Sequence, residues 1–413
     1  MTHLSPEQAP WMRGKDVRAV IAALAADGGE VRFVGGAVRN ALLGRPVKDV
    51  DIATPLTPDK VIRRLTDSGI KAVPTGIEHG TVTALAGAQS FEVTTLRSDI
   101  ETDGRHAVIA FTNDWRQDAA RRDFTINALY ASPDGEIFDY HEGLQDIAAR
   151  RVRFIGDPRA RIREDFLRTL RLFRFHAWYG KGDIDAAALK AAVEERQNLS
   201  RLSGERIAQE FLRLLEAENP LSVLHVMMAT GILAEIIPDM PSMLRLDRLC
   251  AIDAANFFAP DPVLRLAALI PMKEAAERIA GRFKLSNKDR DRIVDLAEAR
   301  EQIVSYLSIR EVRKLLYRLG KERFRDRVFL RWAEDAHASS AIQWRAMLAF
   351  ADAWERPVFP LSGHDVIKAG VPEGPQVGHI LSQVEAWWID ADFTDDRLSI
   401  AERLKAVVLA APR

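Results

Sequence analysis

The sequence predicts an α+β fold, in which a small mixed sheet near the N-terminus is followed by a long helical region. Residues 31–140 alternate short β-rich runs with helical segments, whereas from Pro158 onward nearly every segment has helical spacing interrupted by glycine or proline. At 413 residues, 47% of them hydrophobic, the chain is long enough for two or three domains. We expect an N-terminal helical segment at residues 1–28, a sheet-containing head at 29–147, a helical neck at 148–217, and a helical body and tail at 218–413.

Short apolar runs bounded by glycine or proline define the elements of the head. The run Val-Arg-Phe-Val before Gly35 is typical of a strand, and the helix that follows it ends at Gly44. Pro58 occupies the first position of a second helix, where its missing N–H removes no hydrogen bond. We predict strands at residues 31–34, 49–52, 81–85 and 91–96, and helices at residues 37–43 and 58–68.

The overall charge does not indicate a polyanionic partner, because 58 lysines and arginines face 59 aspartates and glutamates. The segment at residues 148–182 differs, with ten basic and three acidic residues, a net of +7. Such a run is either an exposed helix face in contact with water or a local patch that binds RNA. Its position next to the motifs described below favours the patch.

Cysteine content and hydropathy indicate the compartment. Cys250 is the single cysteine, which excludes an internal disulfide framework and a cysteine-rich zinc site and suits a reducing cytosol. The first twelve residues lack the pattern of a signal peptide, and no stretch reaches the roughly 18 apolar residues of a membrane span. We therefore expect a cytoplasmic protein with no membrane partner, and no obligatory protein partner is evident.

Three carboxylates are candidates for a catalytic metal site. Asp49 and Asp51 flank an apolar residue on a predicted strand, so strand alternation places both on one face, where their oxygens can hold Mg²⁺ for phosphoryl transfer. Glu92, between apolar residues of another strand, can join the cluster or accept the proton of an attacking hydroxyl. Alternatively, the Asp-x-Asp pattern occurs by chance in a surface turn, and Glu92 is an exposed strand residue.

A glycine turn and a polar segment supply further candidates. Gly35 and Gly36 join a strand to a helix, where free backbone N–H groups suit a triphosphate and Arg39 offers a forked donor. By itself such a junction is often only a packing turn. The segment at residues 121–129 begins Arg-Arg-Asp-Phe-Thr, in which Asp123 or Thr125 could simply cap a helix, but a cap does not require two adjacent arginines.

The motifs together resemble the class II tRNA nucleotidyltransferase and bacterial poly(A) polymerase family, within the polymerase-beta-like nucleotidyltransferases. Order and spacing both agree over roughly residues 33–175, and residues 361–366 and 374–375 resemble the tail of the family more loosely. The resemblance is carried by Gly35-Gly36-x-x-Arg39, Leu43-Gly44-Arg45, Asp49-x-Asp51, Glu92-Val-Thr-Thr95, Arg121-Arg-Asp-Phe-Thr-Ile-Asn-Ala128 and Glu164-Asp-x-x-Arg168.

This resemblance implies a nucleotidyltransferase head followed by a neck that reads the base and a body and tail that hold tRNA. It implies a reaction with CTP and ATP that adds C, C and A to the tRNA 3′ end, with two Mg²⁺ ions as cofactors. The implied roles are metal binding by Asp49 and Asp51, triphosphate contact by Gly36 and Arg39, ribose and phosphate contact by Arg122, Asp123 and Asn127, and base reading by Asp165 and Arg168, continued by Arg171 and Arg174.

The chemistry of Asp165 and Arg168 agrees with base reading. Three residues apart on a predicted helix, they are neighbours, one offering acceptors and the other donors. Cytosine and adenine each present an exocyclic amino donor beside a ring-nitrogen acceptor, whereas uracil and guanine present the reverse order. The alternative is a surface salt bridge between the two side chains, worth about 0.3 to 0.5 kcal/mol.

Related activities remain open. In the family, a flexible loop after the Glu-Val-Thr-Thr strand assists the switch from C to A addition, and residues 97–107 here are polar and contain glycine, which favours a complete CCA-adding enzyme. The alternatives are a CC-only or A-only enzyme, a poly(A) polymerase, and a non-catalytic regulator that binds RNA or nucleotides. Asn40 stands where the family usually has aspartate, and His364-Asp365 lacks the partners of a metal phosphohydrolase.

Overall fold

The computed structural model describes residues 3–103, 106–335 and 338–411, and it confirms the α+β fold. Within these ranges the chain forms two compact units. The first contains the residues up to Met240 together with Arg282–Leu285, and the second contains Pro241–Gly281 and Ser286–Arg413. No helix in the described ranges is long and apolar enough to cross a membrane.

A mixed sheet forms the centre of the first unit. The strands lie in the order β3-β4-β5-β2-β1-β8-β9, and β2 pairs in parallel with β5 while the other neighbours are antiparallel. A separate antiparallel ribbon of β6 and β7 follows β5. The strands are β1 (Arg32–Val34), β2 (Asp51–Thr54), β3 (Lys71–Gly76), β4 (Thr81–Ala86), β5 (Gln89–Thr95), β6 (Arg97–Asp103), β7 (His106–Phe111), β8 (Leu129–Ala131) and β9 (Ile137–Asp139).

Helices cover both faces of this sheet because side chains alternate along each strand. One face, with Phe33 and Ile52, packs against the first and third helices, while the other, with Val34 and Ala53, packs against the fourth. The helices of this unit are α1 (Lys15–Ala25), α2 (Gly36–Leu42), α3 (Pro58–Asp67), α4 (Trp115–Ala120), α5 (Gly143–Ala148), α6 (Pro158–Glu164), α7 (Leu167–Tyr179), α8 (Ala186–Glu194), α9 (Gly204–Leu215), α10 (Leu221–Ala229) and α11 (Ile232–Ile236).

The second unit is helical throughout its regular elements, and α14 ends in residues that belong to the first unit. Its helices begin at side-chain caps in several places, such as Asp261, whose carboxylate accepts from the N–H groups of Val263 and Leu264 at 3.0 Å. They are α12 (Met243–Asn256), α13 (Pro262–Leu269), α14 (Lys273–Phe283), α15 (Asn287–Glu298), α16 (Ile309–Leu319), α17 (Lys321–Glu334), α18 (Ala341–Ala353), α19 (Gly363–Lys368), α20 (Pro375–Asp390) and α21 (Arg397–Ala410).

Three local predictions need correction. Strand β2 begins at Asp51, so Asp49 precedes the strand instead of sharing its alternation. The segment predicted as a loop at residues 97–107 contributes to the paired strands β6 and β7, with residues 104–105 outside the described part. The predicted helix that carries Asp165 and Arg168 is interrupted at Asp165, whose backbone is extended with φ −155° and ψ 108°.

The sequence also gave no prediction of β3, β8 and β9, which are present in the sheet. Strands β8 and β9 have three residues each, too short for a recognisable alternation. In β3 none of the residues is buried, because it forms the exposed edge of the sheet. Neither kind of strand carries the apolar period on which sequence-based prediction depends.

We predict that Arg265→Ala destabilises the second unit by about 3 to 5 kcal/mol, since it leaves a buried carboxylate without its partner. The Nε and Nη2 groups of Arg265 donate to Asp253 at 3.1 and 2.9 Å, and both side chains are buried. Urea unfolding measures the loss. The control is Arg323→Ala, an exposed side chain that lies 3.8 Å from the half-buried Asp295, which should cost less than about 1 kcal/mol. Equal losses in the two variants would contradict the prediction.

Candidate active site

The sheet brings two of the three predicted carboxylates side by side. Asp51 is the first residue of β2, and its register partner in the parallel strand β5 is Glu92. Burial, together with the nearby charges of Glu92 and Asp49, raises the pKa of Asp51 to about 6. Negative charge is therefore concentrated around Asp51.

This concentration of charge fits a divalent cation that is shared with a substrate. Among residues 3–103, 106–335 and 338–411, no three carboxylate, imidazole or thiol side chains converge into a complete metal site. Mg²⁺ is usually held by one or two carboxylates together with substrate phosphates, so a complete cage of protein ligands is not required. Asp49 and Asp51 are the residues here that suit this arrangement.

The turn between β1 and α2 requires glycine. Gly35 has φ 68° and ψ −119°, a conformation that is strained for any residue with a Cβ atom, and its N–H donates to the carbonyl of Leu129 at 3.1 Å. Val34, the residue before the turn, is the register partner of Asp51. The turn therefore places the backbone of Gly35 and Gly36 beside the carboxylates.

Arg39 is anchored by three side chains, of which only Tyr179 was not named in the sequence analysis. Its guanidinium donates to Asn127 Oδ1, to Asn40 Oδ1 at 3.0 Å and to Tyr179 Oη at 2.8 Å, and it stacks 4.1 Å from the centre of the Tyr179 ring. Burial lowers the pKa of Arg39. Most N–H groups of the Arg39 guanidinium, which were predicted to contact phosphate, thus donate hydrogen bonds within the protein. One of these bonds, to Tyr179, connects Arg39 to the end of α7.

Asn40 makes the neutral hydrogen bonds expected from its difference from the family. Its Oδ1 accepts from Arg39, while its Nδ2 donates to the carbonyl of Pro46 at 3.1 Å. An aspartate could accept from Arg39 but could not donate to Pro46. The amide therefore links the second half of α2 to the segment that leads into Asp49.

Asp118 organises the two arginines at the end of α4, and sequence reasoning missed it. Its buried carboxylate accepts from Arg121 Nε at 2.9 Å, from Arg122 Nη2 at 3.2 Å and from Tyr130 Oη at 2.6 Å. Burial opposes ionisation of this carboxyl, but the charges of Arg122 and Arg121 and the tyrosine hydrogen bond lower its pKa to about 2. The sequence could have indicated these contacts, because Asp118 precedes the two arginines by three and four residues, a spacing that makes side chains neighbours on a helix.

Asp123 connects the sheet-bearing part of the unit to α7. Its carboxylate accepts from the N–H of Phe124 at 2.8 Å, from Asn127 Nδ2 at 3.0 Å and from Arg171 Nε at 2.8 Å. Burial opposes its ionisation, yet Arg171 and Asn127 hold the pKa of Asp123 at about 2. The alternative of a helix cap is wrong, since the 3₁₀ turn Thr125–Asn127 has no side-chain cap and Thr125 Oγ1 donates to Asp146 at 2.6 Å.

The two residues predicted to read the base do not pair with each other. Asp165 pairs with Arg206 of α9 at 2.6 Å and accepts from the N–H of Leu167 at 3.1 Å. Arg168 donates to Glu164 and to the carbonyl of Arg161 at 3.1 Å. The alternative of an Asp165–Arg168 salt bridge is therefore wrong, and each side chain is held by a separate partner.

Arg171 and Arg174 have different surroundings. Arg171 faces Asp123 and lines the cavity described below, whereas Arg174 is absent from that lining. Arg174 Nε lies 2.7 Å from Glu210, its guanidinium stacks 4.5 Å from the ring of Phe175, and burial lowers its pKa to about 10. Arg171 therefore lines the cavity together with Arg168, as predicted. Arg174 instead packs against α9.

The basic run at residues 148–182 is largely neutralised. Its arginines face carboxylates from elsewhere in the unit, principally Asp146, Glu195 and Glu210, with Glu164 inside the run. The ion pairs include those of Arg151, Arg153, Arg159, Arg161, Arg163, Arg168, Arg171 and Arg174. The run as a whole therefore does not form the free cationic patch that its composition predicts.

These groups surround one cavity of about 450 Å³ in the first unit. The glycine turn and Asp51 contribute one side, and α7 contributes the other. The lining residues are Gly35, Gly36, Arg39, Asp51, Arg121, Arg122, Asp123, Asn127, Asp165, Leu167, Arg168, Arg171, Phe175 and Arg206. Of these, Arg121, Leu167, Phe175 and Arg206 were not predicted as site residues.

A mixed sheet that carries paired carboxylates beside a glycine turn and an arginine-lined cavity defines a nucleotidyltransferase. Residues 31–153 match the family model of the poly A polymerase head domain, and residues 183–244 match that of the probable RNA and SrmB-binding site of polymerase A. The chain belongs to the family of CCA-adding tRNA nucleotidyltransferases, as its relatives show.

Two curated relatives and one solved structure illustrate the match. The chain is 33% identical to the mitochondrial CCA tRNA nucleotidyltransferase 1 of Mus musculus, over 91% of this chain and 86% of the relative. It is 32% identical to the CCA-adding enzyme of Streptococcus gordonii, over 94% and 96%. The crystal structure of the Bacillus stearothermophilus CCA-adding enzyme in complex with CTP superposes with a TM-score of 0.73 at 27% identity, covering 96% of each chain.

We predict that Asp118→Asn weakens the fold by an amount that depends on pH. Because the pKa of Asp118 is about 2, below its unfolded value, its ionised form stabilises the fold above about pH 4, by on the order of 2 kcal/mol. This contribution is lost as the pH falls toward 2. Urea unfolding at pH 7, 5 and 3 should therefore show a gap between wild type and variant that shrinks with acid, whereas a constant gap would contradict the prediction. Asp114→Asn, an exposed cap on the same helix, is the control.

A second prediction concerns Tyr179, which holds Arg39 at the cavity. Tyr179→Phe removes one hydrogen bond to a buried guanidinium but keeps the ring, so we expect the KM for CTP to rise about tenfold with a smaller change in kcat. The control is Tyr317→Phe, which removes a 2.6 Å hydrogen bond to Glu385 in the second unit. An unchanged KM for CTP, or the same rise in the control, would show that Tyr179 does not position Arg39.

Proposed function

We propose that the protein adds C, C and A to the 3′ end of tRNA, using CTP and ATP and no nucleic-acid template. One observation carries the proposal: Asp51 lines the same cavity as Asp165 and Arg168, the two residues that we propose to read the base. The groups for chemistry and those for base selection thus meet around a space of about 450 Å³. The names of the relatives agree with this activity.

In this reaction the 3′ hydroxyl of the RNA attacks the α-phosphate of the nucleotide, and pyrophosphate leaves. Asp49 and Asp51 would hold the two Mg²⁺ ions, and when bound these ions would supply stabilisation of the charge that develops on the reacting oxygens. Glu92, the register partner of Asp51, would take the proton of the hydroxyl. The backbone of Gly36, with Arg39 and Arg122, would orient the phosphates.

Base selection rests on Asp165 and Arg168. Asp165 accepts from an exocyclic amino group and Arg168 donates to a ring nitrogen, an order that cytosine and adenine satisfy and that uracil and guanine reverse. Arg206 and Glu164 each hold one of the two side chains, which limits the positions that the pair can adopt. A site whose groups are fixed discriminates more sharply, because a mismatched base leaves them unpaired.

Three alternatives differ in their products. A poly(A) polymerase would add only A and continue, and a CC-only or A-only enzyme would stop early. The strands β6 and β7 supply the segment associated with the switch to A, and the curated relatives described above are named as CCA enzymes, so both favour complete addition. A regulator without catalysis has no need for the cluster of Asp49, Asp51 and Glu92.

The tRNA contacts and the compartment are also proposals. Neck, body and tail helices would hold the RNA chiefly through its phosphates, since one enzyme must accept many tRNA sequences, and binding should weaken steeply with salt. The cytosol is the compartment we favour, because the single cysteine, Cys250, is buried and unpaired as in a reducing environment.

The test is incubation with tRNA that lacks its CCA end, with CTP, ATP, UTP and GTP supplied singly and together. The proposal predicts a product that stops after three added nucleotides and requires both CTP and ATP. Asp51→Asn should abolish addition while the fold remains. Continued growth with ATP alone would establish the polymerase instead, and no addition by folded wild type would overturn the proposal.

We further predict that Asp165→Ala loses selectivity for C and A over U and G while the protein stays folded. The carboxylate that distinguishes an amino group from a carbonyl is then absent. The ratio of kcat/KM for CTP and UTP measures the effect and should fall by at least tenfold. Asp157→Ala, which removes a carboxylate that caps α6 at Ala160 N (2.8 Å), is the control and should retain selectivity. Unchanged selectivity in Asp165→Ala would contradict base reading by this residue.

A further inference from the structure

A row of side chains runs across one face of the sheet from the catalytic carboxylates to its far edge. Glu92 pairs with Asp51, Asp51 with Val34, Val34 with Tyr130, and Tyr130 with Phe138. Register partners share a face of the sheet, so Tyr130 and Phe138, which form an aromatic edge, lie on the same face as the catalytic carboxylates. Three steps between strands separate the backbones of Asp51 and Phe138, a span of about 14 Å.

An open cleft of about 560 Å³ lies at this aromatic edge. Tyr140, two residues after Phe138, forms one wall, and the start of α4 with the residues before it forms the other. The residues that line the cleft are Thr112, Asn113, Asp114, Trp115, Arg116 and Tyr140. The cleft is distinct from the nucleotide cavity, with which it shares no lining residue.

Contacts with neighbouring side chains hold the Tyr140 ring in place. Its hydroxyl accepts from Arg32 Nη1 at 2.8 Å, and its ring packs edge-on against Tyr130 at 6.0 Å between ring centres. The Arg32 guanidinium is itself stacked on two rings, Trp115 at 4.1 Å and Phe138 at 3.5 Å. A tyrosine fixed in this way is a preformed surface on which a planar group can stack without ordering cost.

Arg116 adds a positive charge to the same surface, whose lining also contains the exposed carboxylate of Asp114. Its guanidinium lies 5.2 Å from the centre of the Tyr140 ring, and its side chain is exposed. In the described part of the chain Arg116 has no carboxylate partner, unlike Arg121 and Arg122 of the same helical segment, which share Asp118. Trp115 is 6% exposed, and its indole N–H has no acceptor among the described residues, so a hydrogen-bond donor is also unmet beside the cleft.

An aromatic ring beside an exposed arginine is the combination that proteins use to bind unpaired nucleotides. The geometry points to a subsite for the single-stranded 3′ end of the RNA: one base a few nucleotides upstream of the reacting hydroxyl stacks on Tyr140, and Arg116 contacts its phosphate. This inference rests on the proposed function, because it takes the acceptor to be an RNA end. Stacking does not depend on base identity, which suits an acceptor end whose sequence differs between tRNAs and changes as it grows.

The test measures binding and addition separately on one RNA, a hairpin with a tRNA acceptor stem and an unpaired 3′ end. Fluorescence anisotropy gives the Kd of the wild type and of Tyr140→Leu, Tyr140→Phe and Arg116→Ala. Tyr140→Leu should raise the Kd about tenfold, the loss of one stacked base, while Tyr140→Phe keeps most of the affinity and the KM for CTP is unchanged in both. Arg116→Ala, at an exposed side chain, should weaken RNA binding and reduce its salt dependence.

An abasic scan locates the contact. Removing the base at one position of the unpaired end should weaken binding to the wild type and have no effect in Tyr140→Leu, because the partner is already absent. The control is Arg63→Ala, an exposed arginine of α3 on the opposite side of the sheet, which should bind RNA as the wild type does.

Wild-type affinity in both Tyr140→Leu and Arg116→Ala overturns the inference, as does an abasic effect that persists in Tyr140→Leu. Should Tyr140→Leu fail to fold, Arg116→Ala and the abasic scan decide. A wild type that binds the hairpin but adds no nucleotide would contradict the proposed function while leaving the binding comparison intact, so the two failures are distinguishable.

Discussion

The buried carboxylate of Asp123 is the contact on which the geometry of the cavity depends. It lies at the end of the segment that follows α4, and it accepts hydrogen bonds from both Asn127 and Arg171. Through Asn127 it reaches Arg39 at the glycine turn, and through Arg171 it reaches α7. A buried ionised group must be satisfied by several donors, so this network has few alternative arrangements. The side of the cavity formed by the glycine turn and the side formed by α7 are thereby held at a fixed separation.

The interruption of the helix at Asp165 has the same consequence. In a continuous helix, Asp165 and Arg168 would neutralise each other on the surface. The extended backbone at Asp165 instead allows Arg206 to hold the aspartate while Glu164 holds the arginine. Both groups then line the cavity with hydrogen-bonding capacity that a base can use. A template made of protein requires side chains of this kind, fixed in place yet not paired with each other.

The sequence predicted the fold class and most residues that line the cavity, because those residues lie in short motifs with local chemical meaning. Asp51 and Glu92 were recognisable from alternation on two strands, and their register confirms the juxtaposition. Residues that act at a distance were not recognisable: Tyr179 meets Arg39 across 140 positions, and Arg206 meets Asp165 across 41. The positive charge at residues 148–182 was misleading partly for the same reason, because Glu195 and Glu210, which pair with its arginines, lie beyond that segment. Asp146, a third partner, lies just before it.

The role of Asp123 is tested most directly by comparing the affinity of Asp123→Asn for CTP with that of the wild type. Calorimetry in the absence of RNA measures the affinity, and circular dichroism confirms that both proteins are folded. The amide cannot accept two charge-assisted bonds from Arg171 and Asn127 as the carboxylate does, so the two sides of the cavity should lose their fixed separation. We expect the folded variant to bind CTP at least tenfold more weakly than the wild type. Wild-type affinity in that variant would show that the Asp123 network does not assemble the nucleotide site.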